Sequence, residues 1–257
     1  MLNFKNTNIF FGTVLILLII VGFYVHVSWF FFLVVLLVYS LILFYGSCFI
    51  QANFYVKSVC SAKTTKKQIA LSFDDGPVEI YTYEALRLLR EKNVQAAFFC
   101  IGNRTAGNEY LLKMIHEEGH LIGNHSYSHH FWFDLFSAKK MLSDMKMMNE
   151  EVNKVIGLSP KLFRPPYGVT NPNLKRAILN GKFISVGWNI RSMDTVIKDE
   201  VKLLKKIKKA IVPGSIILFH DTSQTTLMIL HELINYVKAE GYEIIRLDKM
   251  CNLQAYE

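Results

Sequence analysis

The chain has 257 residues, 51% apolar and 19% charged, with a formal net charge of +8, averages that suit neither a water-soluble globule nor a disordered chain. Its 14 Gly, 6 Pro and 4 Cys exclude collagen-like, low-complexity and disulfide-scaffold readings. The averages conceal two materials: residues 1–56 hold one charged side chain, Lys5, whereas residues 57–257 hold the other 28 basic and all 21 acidic ones.

From Ile9 to Ile50 the chain is apolar almost without interruption. As a single helix it would run ~63 Å, about twice the hydrocarbon thickness of a bilayer. Two transmembrane helices are therefore expected, near Ile9–Tyr24 and Trp29–Tyr45, broken around His26 and Ser28, with Tyr24, Trp29 and Tyr45 as interfacial aromatics. A cleaved signal peptide fits poorly, because its apolar region is usually about 7–15 residues and no Ala-x-Ala site follows this run. Lys5 precedes the first span, Lys57, Lys63, Lys66 and Lys67 follow the second, and the turn between has no Lys or Arg. The positive-inside rule then expects a multi-pass cell-membrane protein with both ends on the cytoplasmic face.

Residues 57–66 read as a polar linker and 67–257 as one domain, long enough to bury a full core. Within it Ile69–Phe73 is expected as a buried strand, Tyr83–Lys92 as a helix, Ala96–Ile101 as a strand, Tyr110–Glu118 as a helix, His120–Asn124 as a short strand, and Ala138–Ile156 as a long helix ending at Gly157. Leu162–Arg164, Phe183–Trp188, Ser215–Phe219 and Glu243–Arg246 are further strand candidates, with helices over Val201–Ile211 and Leu227–Glu240. Strand-then-helix alternation predicts an α/β fold with a parallel sheet, closed or nearly closed as a (β/α) barrel, in which sites form where strands end.

Polar clusters fall at those strand ends: Asp74-Asp75-Gly76-Pro77, His125-Ser126-Tyr127-Ser128-His129, Arg164-Pro165-Pro166-Tyr167, Asp194, and His220-Asp221. Singly each has an ordinary reading, since Asp-Gly-Pro is usually a turn and paired histidines often lie on an exposed helical turn. Together they offer two His at i and i+4 plus a carboxylate from another strand end, a three-ligand metal site with open positions. The second Asp, the Arg and the third His supply a base, a positioning charge and an acid.

The ordered set Ser72-Phe73-Asp74-Asp75-Gly76-Pro77, His125 to His129, Arg164 to Tyr167 and Leu218-Phe219-His220 resembles the motifs of the polysaccharide deacetylases, carbohydrate esterase family 4, with a NodB-type domain over about residues 67–257. The resemblance implies the distorted (β/α) barrel of that family and a hydrolase that removes N-acetyl or N-acyl groups from an amino-sugar glycan; the two spans, the lysine-rich helix after Asp199 and Arg191 favour a lipid-linked saccharide as the substrate of the same chemistry. It implies that Asp75, His125 and His129 hold a divalent metal, commonly zinc, and that Asp74 is the general base toward the attacking water. It further implies that the backbone N–H of Tyr167 stabilises the oxyanion and that His220 is the general acid toward the leaving amine. Arg164 would hold Asp74, Asp194 would orient His220, and Leu218 would line the acyl pocket. A membrane-anchored carbohydrate-binding protein without turnover is the alternative.

The fourth motif departs from the family pattern Asp-x-x-Asp-Trp, reading Arg191-Ser192-Met193-Asp194-Thr195. Loss of the Trp removes a stacking surface and the added cation favours an anionic neighbour, so a substrate bearing phosphate or carboxylate is expected over a long neutral polymer. Lys202, Lys205, Lys206, Lys208 and Lys209 crowd one helix with Leu203, Leu204 and Ile207 between them; a solvated face over inward leucines is the expectation, contact with anionic lipid the sharper alternative. No nucleic-acid module accompanies the basic charge. His116, His120, His130 and His231 read as surface or packing residues, with contact to the metal ligands or substrate the alternative for His130, which directly follows His129. Cys48, Cys60, Cys100 and Cys251 form no C-x-x-C pair and read as free thiols.

Overall fold

The computed structural model describes residues 2–257. Two N-terminal helices, α1 (Phe4–Gly22) and α2 (Trp29–Cys48), are each long and apolar enough to cross a membrane. At 1.5 Å per residue they span about 28 and 30 Å, the hydrocarbon thickness of a bilayer. Nearly all their side chains face outward. Asn3 caps α1 and Ser28 caps α2, so the turn falls where the polar break predicted it. The helices meet through Phe11 and Tyr39, ring centroids 5.2 Å apart, and through a hydrogen bond of 2.9 Å from the Tyr39 hydroxyl to Asn8 Oδ1.

The remainder alternates strand and helix. In chain order come β1 (Gln68–Asp74), α3 (Glu79–Glu91), β2 (Ala97–Cys100), α4 (Glu109–Glu117), β3 (Leu121–Asn124), α5 (Ala138–Ile156), β4 (Leu162–Phe163), α6 (Pro172–Gly181), β5 (Ile184–Ser185), β6 (Ile190–Arg191), α7 (Glu200–Ala210), β7 (Ser215–His220), α8 (Gln224–Ala239), β8 (Glu243–Ile244) and α9 (Leu247–Cys251). All strand pairs are parallel, in the order β5-β4-β3-β2-β1-β7-β6, with β8 beside the start of β1. The curled sheet is the expected distorted (β/α) barrel. Among the described residues its edges, β5 and β6, do not pair with each other. Instead Val59 bridges Val186 and Ser61 bridges Ser215, so part of the stretch expected as a linker is hydrogen-bonded to the sheet.

The residue patterns account for most of this. β1 and β7 are buried on both faces and read as continuous apolar runs. α5 begins at the Ser137 cap and stops where Gly157 takes a left-handed φ of 70°. α7 buries Leu203, Leu204 and Ile207 and leaves most of its lysines at the surface, as the solvated-face reading expects. α6 and α9 lie outside the predicted elements, and the predicted strand Phe183–Trp188 divides: β5 takes two of its residues, and β6 begins beyond it. Residues 50–56, apolar and uncharged like the helices before them, belong to the globule: Ile50, Phe54, Tyr55 and Val56 are buried in its core.

Candidate active site

Parallel strands end on one side of the sheet, and the motifs fall there because each immediately follows or closes a strand. Asp74 closes β1 and His220 closes β7, directly opposite each other in register on neighbouring strands, whose axes lie about 4.8 Å apart. Asn124 and Phe163 pair at the ends of β3 and β4, which places the next residues, His125 and Arg164, side by side. Arg191 in β6 is opposite Leu218 in β7.

These strand ends surround a cleft of about 210 Å³ lined by Asp74, Asp75, His125, His129, Tyr167, Arg191, Leu218 and His220, with Trp188 and Thr195. Arg164 and Asp194 stand behind it, both fully buried. All ten residues expected at the site therefore converge, eight in the wall and two in support.

Asp75, His125 and His129 bring one carboxylate oxygen and two ring nitrogens within 4.8 Å of one another. Asp75 Oδ1 is 3.4 Å from His129 Nε2 and 3.6 Å from His125 Nε2. His125 Nδ1 lies 2.8 Å from the Arg164 carbonyl oxygen. A carbonyl can only accept, so Nδ1 carries the proton and the Nε2 lone pair faces the cluster. Burial, with His125 alongside, pushes His129 down to about 4 against the pull of Asp75, leaving its imidazole neutral as a metal ligand must be. This donor set fits a divalent cation such as zinc, with coordination positions left for water or substrate.

The two histidines do not share a helical turn, as their spacing alone suggests. They sit in a loop in which Ser126 and His129 have positive φ of 66° and 42°. Asn124 Oδ1 accepts the Ser126 N–H at 2.8 Å, Ser126 Oγ accepts that of His129 at 3.0 Å, and Asp144 Oδ1 on α5 accepts those of Tyr127 and Ser128. Asn124 and Asp144 carried no motif, and their importance emerges only from this loop.

Arg164 donates from Nη1 to Asp74 Oδ1 at 2.6 Å and to Ser72 Oγ at 3.0 Å, and from Nη2 to the Gly187 carbonyl at 3.0 Å. Its guanidinium lies 4.0 Å from the centroid of Phe99. Burial lowers its pKa and the charge of Asp74 opposes that; an arginine so paired stays a cation. His220 Nδ1 is 2.8 Å from Asp194 Oδ1, which fixes its proton there and directs Nε2 away from the carboxylate. Burial by itself would lower His220, but the hydrogen bond and charge of Asp194 outweigh it and the pKa is raised. For Asp194 the opposite holds: burial raises it, and the bonds from His220, Thr226 and Ser192 bring it below its ordinary value. Thr226 and Ser192 were not anticipated, being hydroxyls without a motif. Chemically, the cleft offers the Asp74 carboxyl group and the His220 imidazole on neighbouring strand ends, beside the cluster of Asp75, His125 and His129.

One further expectation is adjusted and another is met. The aromatic surface taken as lost with Thr195 is supplied from elsewhere, because Trp188, 7% exposed, lines the cleft from the connection between β5 and β6. His130 is exposed and outside the cleft wall; its Nδ1 accepts the Trp132 N–H at 3.0 Å and its ring packs on Phe136, the packing role expected of most histidines here. The four cysteines are free thiols.

The family model described as polysaccharide deacetylase matches residues 61–181. A peptidoglycan-N-acetylglucosamine deacetylase of Bacillus cereus is 32% identical over 188 residues, 69% of this chain and 68% of that one. The peptidoglycan-N-acetylglucosamine deacetylase PgdA of Listeria monocytogenes is 32% identical over 202 residues, 79% of this chain but 42% of its own length, so this chain matches less than half of that relative. Among solved structures, the Bc1960 peptidoglycan N-acetylglucosamine deacetylase superposes with a TM-score of 0.73 at 29% identity, covering 78% of this chain and 95% of that one. The chain belongs to the polysaccharide deacetylase family.

Proposed function

We propose that the protein is a metal-dependent N-deacetylase of an amino-sugar glycan or saccharide, held at the cell membrane by the α1–α2 hairpin. The observation that carries this reading is the pairing of Asp74 and His220 in register across β1 and β7, with the Asp75, His125 and His129 cluster between their strand and β3. The named relatives act on peptidoglycan N-acetylglucosamine, which favours an N-acetyl hexosamine here.

A divalent metal, zinc in this proposal, held by Asp75, His125 and His129 would polarise the N-acyl carbonyl and make a water acidic enough to be deprotonated near neutral pH. Asp74, paired with the Arg164 guanidinium at 2.6 Å, accepts the proton of the attacking water. The Tyr167 N–H donates to the oxygen that gains charge as the carbonyl becomes tetrahedral. His220 then gives its Nε2 proton to the amine nitrogen as the C–N bond breaks, while Asp194 holds the imidazolium. Leu218, 2% exposed, forms the floor for the acyl methyl.

The domain division that goes with this is an anchor over 1–56, a connecting stretch 57–66 and the catalytic domain 67–257. The lysine count on either side of the hairpin favours the cytoplasmic face for the catalytic domain, and a reporter fused after Glu257 tests that orientation. An outward reading overturns it and admits mature cell-wall polymers as substrates.

The test of the activity uses the full chain in detergent, with metal content and acetate release from chitotetraose measured together. Asp74→Asn is expected to abolish release while metal stays bound, and His125→Ala to lose metal. Metal bound by the wild type without release from any N-acetyl sugar would favour the carbohydrate-binding alternative.

A further inference from the structure

Beyond the cleft, a second cavity of about 590 Å³ opens between the end of α2 and the sheet, lined by Tyr45, Cys48, Phe49, Ile50, Gln51, Ala52, Trp188 and Arg191. Trp188 and Arg191 line the catalytic cleft as well, so the two spaces share a wall. The junction is built by hydrogen bonds. Thr170, three residues past Tyr167, donates its N–H to the Ser47 carbonyl at 3.0 Å and its hydroxyl to the Gly46 carbonyl at 3.2 Å, satisfying carbonyls in the last turn of α2. Gln51 Nε2 reaches the Asn189 carbonyl, one residue beyond Trp188, at 3.4 Å. Gly46 is required at the contact, since a Cβ there would lie 2.2 Å from Phe54.

Arg191 is the one charged residue of this second cavity. Its guanidinium lies 5.9 Å from the Trp188 centroid, and among the described residues no carboxylate pairs with it. An exposed, unpaired guanidinium beside an aromatic ring and a strongly apolar helix selects for a ligand that joins an anion to a hydrocarbon. A second apolar surface adjoins the site. Phe131, Trp132 and Leu135 are 68%, 55% and 69% exposed. Phe131 is 6.4 Å from the ring of Tyr167, and the neighbouring Phe133 and Phe136 pack in the same cluster as Ile42 and Leu43 of α2. The mouth of the cleft thus lies against apolar surface continuous with the helix hairpin.

We propose that the substrate is an amino sugar linked through phosphate to a membrane lipid, its N-acyl group in the cleft, its phosphate against Arg191 and its hydrocarbon along the end of α2. The proposal rests on the deacetylase reading above and names its substrate class. It also gives a reason for a fusion of anchor to enzyme in which the anchor forms a wall next to the site, since a flexible tether would need no such contact.

The experiment uses the full chain in lipid nanodiscs with bound metal and compares kcat/KM for N-acetylglucosamine joined through phosphate to farnesol, for N-acetylglucosamine 1-phosphate, and for chitotetraose. The farnesyl substrate is expected to exceed both others at least ten-fold. Arg191→Ala should shrink its advantage over chitotetraose at least ten-fold at unchanged metal content, and Arg191→Lys should restore part of it. Equal rates for the farnesyl substrate and the free sugar phosphate overturn the lipid contact. An undiminished advantage in Arg191→Ala overturns the phosphate site, and a preference for chitotetraose overturns the substrate class while leaving the deacetylase reading standing. Release from none of the three by the metal-loaded wild type overturns both.

Discussion

Replacement of Asp194 by Asn isolates the contribution of one buried charge to the proposed acid. Asp194 accepts four hydrogen bonds: on Oδ1 from Ser192 Oγ at 2.7 Å and His220 Nδ1 at 2.8 Å, and on Oδ2 from the His220 backbone N–H at 2.8 Å and from Thr226 Oγ1. Asparagine has a single acceptor oxygen. With its amide toward the backbone, the His220 N–H loses its acceptor, at a cost of about 1.5–3 kcal/mol for a bond to a charged group. With the amide toward the ring, Nδ1 must accept, and the imidazole takes the opposite tautomer. Either way the negative charge that raises His220 is gone. We expect kcat to fall at least 100-fold, about 2.7 kcal/mol in barrier, within the range for general acid catalysis. Activity that needs protonated His220 is lost as pH rises through its pKa, which Asp194 holds above the ordinary 6.5, so the alkaline limb of the kcat profile should move to lower pH in the variant. Stability follows the same sign. The part contributed by His220 is fully present below 6.5 and lost as pH rises through the raised value, and the part contributed by Asp194 is present above 3.8 and lost as pH falls through the lowered one. Urea denaturation should therefore show a larger loss for Asp194→Asn at pH 6 than at pH 9. An alkaline limb in the same place, with kcat within three-fold of wild type, would refute the assignment of His220 as the acid.

Arg164→Met should destabilise the protein by about 3–5 kcal/mol, the cost of leaving one charge of a buried pair without its partner, because Asp74 is 4% exposed and Arg164 is its cation; chemical denaturation measures it, and a loss below 1 kcal/mol contradicts the buried-pair account. Gly123→Ala places a Cβ 2.4 Å from Phe99, whose ring lies under the Arg164 guanidinium, and should cost about 1–3 kcal/mol as an overpacked core does, visible as a lowered Tm. A chain that begins at residue 57 should be less stable than one that begins at residue 49, because it lacks Ile50, Phe54 and Val56, each buried to 4% exposure or less and each worth up to about 1.5–3 kcal/mol; equal denaturation midpoints would show that these side chains do not support the globule. Removing metal with a chelator should abolish acetate release and leave secondary structure by circular dichroism intact, since the ligands sit on loops held by Asn124, Asp144 and Arg164 through bonds that need no ion.

Much of this was legible in the sequence, for identifiable reasons. The hairpin follows from a 42-residue apolar run and a polar break, and α5 from a helix-length segment closed by Gly157, signals that are local and unopposed. The polar clusters of the site were legible because a parallel sheet brings successive strand ends to one side whatever the details of pairing, whereas Leu218 and Arg191 came only with the resemblance to the deacetylase motifs. What escaped depends on distant partners. Residues 50–56 have the composition of the apolar helices, and only the packing of Ile50 against the sheet and of Phe54 and Tyr55 around α6 assigns them to the globule. Trp188 lay in a run that read as a strand, and its place in the cleft follows from the chain leaving β5 to form β6. The Asn171-Pro172 start of α6 is a cap and first-turn pair, with Leu174, Ala177 and Ile178 at helical spacing, but the helix is only ten residues long and follows directly on a motif loop.

The site concentrates features that are unfavourable in isolation. Arg164, Asp74, Asp194 and His125 are polar or charged and at most 4% exposed. Of the nine non-glycine residues with positive φ among the described residues, Asp75, Ser126, His129, Tyr167 and Met193 belong to the motif loops. Such backbone conformations cost on the order of 1–3 kcal/mol each for residues with a side chain, and an unpaired buried charge costs more. They persist because each is over-determined: Arg164 by three hydrogen bonds closer than 3.1 Å and an aromatic face, Asp194 by four donors, the histidine loop by Asn124 and Asp144. Supports of this kind would fix the proposed base, acid and metal ligands before substrate arrives, leaving little reorganisation for the proposed reaction. The same reasoning separates the two ends of the cleft. Arg164 and Asp194 behind the cleft are held by several hydrogen bonds each, whereas Arg191 at the boundary with α2 is exposed and lacks a carboxylate partner among the described residues, which is where selection among substrates can act without disturbing the proposed chemistry.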